Sequence, residues 1–137
     1  MKAPATLDEF YRIFPTERRC WEVLRRLRWP DGFRCPGCGH ERAWPVRKVW
    51  LECPRCGRQT SVTAGTVFQD TRKPLRLWFR AMWHITSQKN GARALGLPRV
   101  LGLGSYQTAS TWLHKLRRAM VRPGRERLAG VVEVDET

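Results

Sequence analysis

Cys35, Cys38, Cys53 and Cys56 stand in FRCPGCGH and LECPRCGR, two C-P-x-C-G turns with fourteen residues between Cys38 and Cys53. Each C-x-x-C turn aims two sulfurs at one point, and the glycine after each pair tolerates the backbone such turns need. Four thiolates at this spacing make a closed tetrahedral zinc site with metal–sulfur distances of about 2.3 Å, structural because no coordination position stays open. Disulfides would need an oxidising compartment, and the start MKAPATLDEF shows no apolar leader run. A redox C-x-x-C needs a single pair, whereas a tetrathiolate site also accepts iron. Two matched pairs favour zinc. His40 is surplus to a complete set of four and reads as a surface histidine. Cys20, in RRCWEVLRRL at helical spacing with Trp21 and Leu24, reads as a small core residue.

Positioning those sulfurs calls for a β-hairpin between the pairs, and Trp44, Val46, Val49 and Trp50 are strand formers within that gap. The pattern is a zinc ribbon over about 33–60. Ahead of it, Thr6 and Glu9 form a capping box that opens a helix to about Phe14. Pro15 breaks that helix and Thr16 caps a second over 17–28, with Cys20, Trp21, Leu24 and Leu27 on one stripe. After the ribbon, the β-branched SVTAGTVF predicts a further strand at 61–68, before the basic loop QDTRKP. The expected architecture is a small α+β protein: N-terminal helices (1–32), a four-cysteine ribbon of β-hairpins with its following strand (33–70), and a helical segment (71–125).

Charge separates these segments. The chain of 137 residues carries a net +14, yet residues 71–125 hold twelve Lys or Arg and no Asp or Glu. Such a run repels itself unless a polyanion is the partner, which makes nucleic acid the expected ligand over a merely solvated face. With 42% apolar residues and seven tryptophans the chain has material for a core. No stretch approaches the ~18 apolar residues of a membrane span, so the expected location is cytoplasmic, with no membrane partner.

Within the basic segment, Pro74 suits the first turn of a helix whose apolar face carries Leu75, Trp78, Phe79, Met82, Trp83 and Thr86. Arg76, Arg80, His84 and Ser87 fall on the other face. A short helix near 92–101, a glycine turn at 102–104 and a longer helix over 106–121 then follow a helix-turn-helix plan, although Pro98 removes a backbone donor from the short one. Ala109, Trp112, Leu113, Leu116 and Met120 form the expected buried stripe. The candidates for base edges are Ser105, Tyr106, Gln107, Thr108, Ser110 and Thr111; Lys115, Arg117, Arg118 and Arg122 are the candidates for phosphates, and Arg76 and Arg80 are further DNA-binding candidates.

CPGCG and CPRCG, then TAGTVF, KPLRLW, LHKLRRAM and GVVEVDET, occur here in an order that closely resembles the N-terminal part of bacterial insertion-sequence transposases carrying a zinc ribbon ahead of a DDE catalytic domain. The resemblance runs from about Leu7 to Thr137. It implies that Cys35, Cys38, Cys53 and Cys56 hold zinc and that the ribbon and helices recognise double-stranded DNA at terminal inverted repeats. It also implies that residues 126–137 begin a ribonuclease-H-like strand, with Asp135 as the first acid for Mg²⁺ or Mn²⁺. Two-metal phosphoryl transfer needs further acids on other strands, so this chain alone is expected to be inactive, as the product of a truncated or frameshifted gene or as a fragment. Implied partners are the element ends, full-length transposase or a second copy, in a bacterial, nucleoid-associated setting. The rival readings are a stand-alone zinc-ribbon and helix-turn-helix regulator, and an RNA-associated structural zinc module, which exposed stacking aromatics would favour.

Overall fold

A computed structural model describes residues 2–47, 49–121, 123–124 and 129–131. Arg122, Asp135 and most of the expected GVVEVDET strand lie outside the described residues. The chain is α+β: helices α1 (Leu7–Ile13) and α2 (Glu17–Arg28), strands β1 (Trp44–Arg47), β2 (Trp50–Glu52) and β3 (Gln59–Ser61), then helices α3 (Leu75–Ser87), α4 (Leu97–Leu101) and α5 (Tyr106–Ala119).

The first helices begin where local chemistry dictates. Thr6 accepts the Glu9 amide at 3.2 Å while Glu9 Oε2 accepts the Ala5 amide at 2.7 Å, a reciprocal cap displaced by one residue at its donor end. Thr16 likewise accepts the Arg19 amide at 3.2 Å. In α2, Cys20, Val23 and Leu24 are buried. Leu27, placed on the apolar stripe by spacing, is 67% exposed. It points into an open cleft beside Met82 and Trp83 and is left uncovered there.

The three strands form one antiparallel sheet in the order β1-β2-β3, with an irregularity between Pro45 and Arg47. Arg28 ties α2 to this sheet, its Nη1 donating to the Ser61 and Val62 carbonyls at 2.7 Å each. The strand expected over 61–68 does not form. β3 ends at Ser61 and the segment becomes a run of turns. Gly65 takes a left-handed φ of 75°, which breaks an extended run. The Ser61 hydroxyl accepts the Thr63 amide, and the Thr66 hydroxyl donates to the Thr63 carbonyl at 2.6 Å. Hydroxyls so placed offer the backbone an alternative to a strand ladder.

α3 is the central helix. Phe14 meets Phe79 edge-on at 5.1 Å, and Trp83 Nε1 donates to the Pro4 carbonyl at 3.0 Å, so α1 and the chain before it cover one side. On another side Trp78 stacks on Trp112 of α5 with ring centroids 3.7 Å apart and planes 15° apart. The buried face holds Leu75, Trp78, Phe79, Ala81 and Ile85, while Thr86 is exposed. The stripe is therefore rotated toward Ala81 and Ile85 relative to the spacing-based face, because α3 is covered from two directions. One hydrophobic cluster includes Phe10, Leu51, Trp78 and Trp112, joining the three segments distinguished by sequence.

α4 is shorter than expected, since residues 94–96 form a turn before it. That shift puts Pro98 in the first helical turn, where its missing N–H has no intrahelical role. Gly102 closes α4 in the left-handed region at φ 68°, and Leu103 is buried beyond it. Ser105 then caps α5, accepting the Thr108 amide at 3.1 Å. Ala109, Trp112, Leu113 and Leu116 are buried as their spacing predicts. Met120 lies just past the helix and is 57% exposed, which removes it from the stripe.

Candidate metal centre and nucleic-acid interface

Two matching knuckles carry the cysteines. The Cys35 amide donates to the His40 carbonyl at 2.9 Å and the Cys53 amide to the Arg58 carbonyl at 3.0 Å. Gly39 and Gly57 each donate back to the first cysteine's carbonyl at 2.9 Å, with φ of 74° and 72°. That left-handed turn is the reason for glycine after each pair. The four sulfurs lie within 4.8 Å of one another, Cys35 with Cys56 at 3.5 Å and Cys38 with Cys53 at 3.6 Å. Disulfide sulfurs sit about 2.05 Å apart, so these are separate thiols. A regular tetrahedron around a metal at about 2.3 Å has edges of about 3.8 Å, and the cluster matches that size.

Electrostatics call for a cation at the centre. The Cys38 amide, with help from that of Gly37, stabilises the Cys35 thiolate and brings its pKa down to about 6. At Cys38 the His40 amide acts in the same direction, but partial desolvation and the neighbouring sulfurs outweigh it and push the thiol up to about 11. Four sulfurs this close cannot all carry negative charge unless a cation lies among them. Arg58 lies against Gly37, where a β-carbon would meet its Cδ at 3.1 Å, placing positive charge beside the first knuckle. His40 contributes its backbone to the turn, and the cluster among the described residues is made of the four cysteines alone. These donors fit a structural Zn²⁺.

Cys20 is a different thiol. It is fully buried, and burial, with the nearby Glu17 carboxylate second, raises its pKa to about 11. It stays protonated and packs as an apolar residue, in line with its spacing.

The candidate nucleic-acid residues divide by what already holds them. Arg76 Nε donates to the Phe14 carbonyl at 2.9 Å, and its guanidinium lies over Tyr11 at 5.1 Å. Arg80 lies over the same ring at 5.8 Å. Arg117 Nη2 donates to the Ala92 carbonyl at 2.9 Å, bracing the loop before α4. Ser105 is occupied as a cap, and Ser110 is half-buried. Tyr106, Gln107, Thr111, Lys115 and Arg118 are exposed on α5, with Thr108 half-buried beside them. Among the described residues the ion pairs all fall within 18–41, so none engages a cation of α3 to α5. Exposed Trp44 and Trp50 lie on the ribbon sheet instead.

Two features were not visible in the sequence. Glu17 of α2 caps α3, its carboxylate accepting the Leu75 amide at 2.6 Å and the Arg76 amide at 2.9 Å. Pro74 offers no such cap, and Glu17 lies 58 residues upstream, beyond any local signal. The second feature is a cleft between loop 69–73 and α5, lined by Arg72, Lys73, Gln107, Thr108, Thr111 and Lys115 among others.

A four-cysteine ribbon fused to a basic helical unit defines a zinc-ribbon protein, and residues 15–59 match the family described as "Transposase zinc-ribbon domain". In this make-up the chain is similar to a transposase N-terminal region. It is 32% identical over 130 residues to "Uncharacterized protein in transposable element ISH50" of Halobacterium salinarum (strain ATCC 700922 / JCM 11081 / NRC-1). That match takes in 91% of the chain but only 42% of the relative's length. No solved structure matches the chain significantly. None of the described helices is long and apolar enough to cross a membrane.

Proposed function

We propose that the chain is the DNA-binding part of an insertion-sequence transposase, recognising the terminal inverted repeats of its element. The carrying observation is the solvent face of α5, where Gln107, Thr111, Lys115 and Arg118 are exposed within a 55-residue segment of twelve basic and no acidic residues. Gln107 and Thr111 offer hydrogen bonds to base edges, and Lys115 and Arg118 offer charge to phosphates. The match of residues 15–59 to a transposase zinc-ribbon domain supports the same reading. Zn²⁺ on the four cysteines holds the ribbon in shape and takes no part in chemistry. Asp135, with Mg²⁺ or Mn²⁺, belongs in this reading to a catalytic domain that needs further acids on other strands.

The test is a titration of the zinc-loaded chain against duplexes from the two element ends and a shuffled duplex. A preference of about 10³-fold or more for the ends is expected, as for specific sites generally. Equal affinity for both duplexes would return the chain to the class of general basic zinc proteins. Exposed Trp44 and Trp50 on the ribbon are the observation that favours an RNA-associated role. Tighter binding to structured RNA than to either duplex would select that role.

A further inference from the structure

Loop 69–73 stands against the exposed face of α5, and a single tryptophan holds both. The Trp78 ring stacks on Trp112, while its Nε1 donates to the Thr71 hydroxyl at 2.7 Å. Trp78 and Trp112 are 1% and 5% exposed, so this joint is inside the core. The loop itself is built rather than slack. The Thr71 hydroxyl also accepts the Lys73 amide at 3.3 Å, the Gln69 side chain accepts the Gly65 amide at 2.9 Å, and Asp70 takes a φ of 59°. Ordering of this kind at an exposed turn fixes where the next side chains go. Those are Arg72 and Lys73, both exposed.

Across a cleft of about 360 Å³ stand Gln107, Thr108, Thr111 and Lys115 of α5. The α5 residues 107, 111 and 115 follow one another at intervals of four and share a face. The cleft thus has a cationic wall from the loop, a wall of hydrogen-bonding groups ending in Lys115 from the helix, and one acid, Asp70. Charge complementarity selects a polyanion, and the geometry selects one wide enough to meet a helix and the loop beside it together.

Resting on the DNA-binding reading above, we propose that loop 69–73 is a second contact on the same duplex. Arg72 and Lys73 hold backbone phosphates beside the groove that α5 enters, and Thr71 and Trp78 are positioning residues that set the loop against the helix. This divides the labour within the cleft. The loop supplies affinity without sequence information, and Gln107 and Thr111 supply discrimination.

The experiment is a salt series of binding titrations with the zinc-loaded chain on the element-end duplex, on its shuffled counterpart and on an RNA duplex of the end sequence. Each neutralised phosphate contributes about 0.9 to the slope of log affinity against log salt. Arg72→Ala/Lys73→Ala should lower that slope by about 1.8 and weaken both DNA duplexes equally. Arg72→Lys/Lys73→Arg should restore it. Thr71→Val, which removes the hydroxyl that accepts from Trp78 and leaves a buried indole N–H unpaired, should lower the slope by a smaller amount and lower the melting temperature too, whereas Thr71→Ser should keep both near wild type. An unchanged slope in the double alanine variant, at wild-type melting temperature, would sink the loop contact and leave the DNA-binding reading intact. Absence of salt-dependent duplex binding by the wild type would remove both. Tighter binding to the RNA duplex would overturn the DNA contact in favour of RNA.

Discussion

Strands β1 and β2 leave Trp44, Val46 and Trp50 largely in solvent, whereas α3 and α5 bury Trp78 and Trp112 face to face. Every residue of β1 is exposed, and β2 buries Leu51 alone. A sheet of three strands with four, three and three residues lacks the apolar area that independent stability needs. Its shape rests chiefly on the four sulfurs, with Leu51 and the Arg28 bonds to the Ser61 and Val62 carbonyls tying it to the helices. The helical unit removes two indoles from water, each worth about 150–250 Å² of buried surface, and needs no metal. The same residue type therefore holds one region together and decorates the other. The difference lies in whether a second element is present to cover it.

That contrast predicts that metal removal and core truncation damage different halves. Chelation should have the largest effect, because structural zinc contributes about 10–16 kcal/mol of apparent binding energy in small tetrahedral modules. The ribbon's amide protection should collapse in hydrogen exchange while α5 keeps its own; loss of both together would show that the halves fold as one. Trp112→Ala should follow, at about 3–5 kcal/mol. It should lower the melting temperature and disorder α5 while the four thiolates still bind cobalt with an unchanged visible spectrum. A changed spectrum would mean that the ribbon leans on the helices.

Cys20 gives a test at the seam between α2 and α3. Its folded pKa lies above the unfolded one, so burial of the neutral thiol contributes stability below pH 9 that is lost as pH rises toward 11. The loss approaches about 2–3 kcal/mol at the upper end. Denaturant titrations of wild type and Cys20→Ala across that window should converge; parallel curves would refute the buried neutral thiol. The smallest effect expected is that of Glu17→Gln, about 1–2 kcal/mol, because it weakens charge-assisted bonds to the Leu75 and Arg76 amides. Its mark is fraying of the first turn of α3, read by amide exchange at Leu75 and Arg76.

Much of this was legible in local patterns. The knuckle spacing located the metal site because two turns of four residues can set four sulfurs without help from elsewhere. The caps at Thr6 and Thr16 were legible for the same reason: donor and acceptor lie within four residues. Ser105, a candidate for base edges by position, is instead the cap of α5. No strand forms over 61–68 because the hydroxyls of Ser61 and Thr66 and the left-handed Gly65 turn the chain despite its β-branched residues. Periodicity places Leu27 and Met120 on core-facing stripes, but it says which way a side chain faces and not whether anything covers it.

The candidate nucleic-acid residues show the same boundary. Composition alone concentrated positive charge in 71–125, since counting needs no geometry. Only the tertiary structure turned Arg76 and Arg117 toward backbone carbonyls and left Lys115 and Arg118 to solvent. It likewise brought Glu17 to the start of α3 and loop 69–73 to α5. These are contacts between groups separated by tens of residues. Sequence determined the metal site, the charge and the starts of α1, α2 and α5, where partners are neighbours along the chain. Packing decided which cations stay free and which elements share a cleft, because those depend on what each surface meets once the chain has closed.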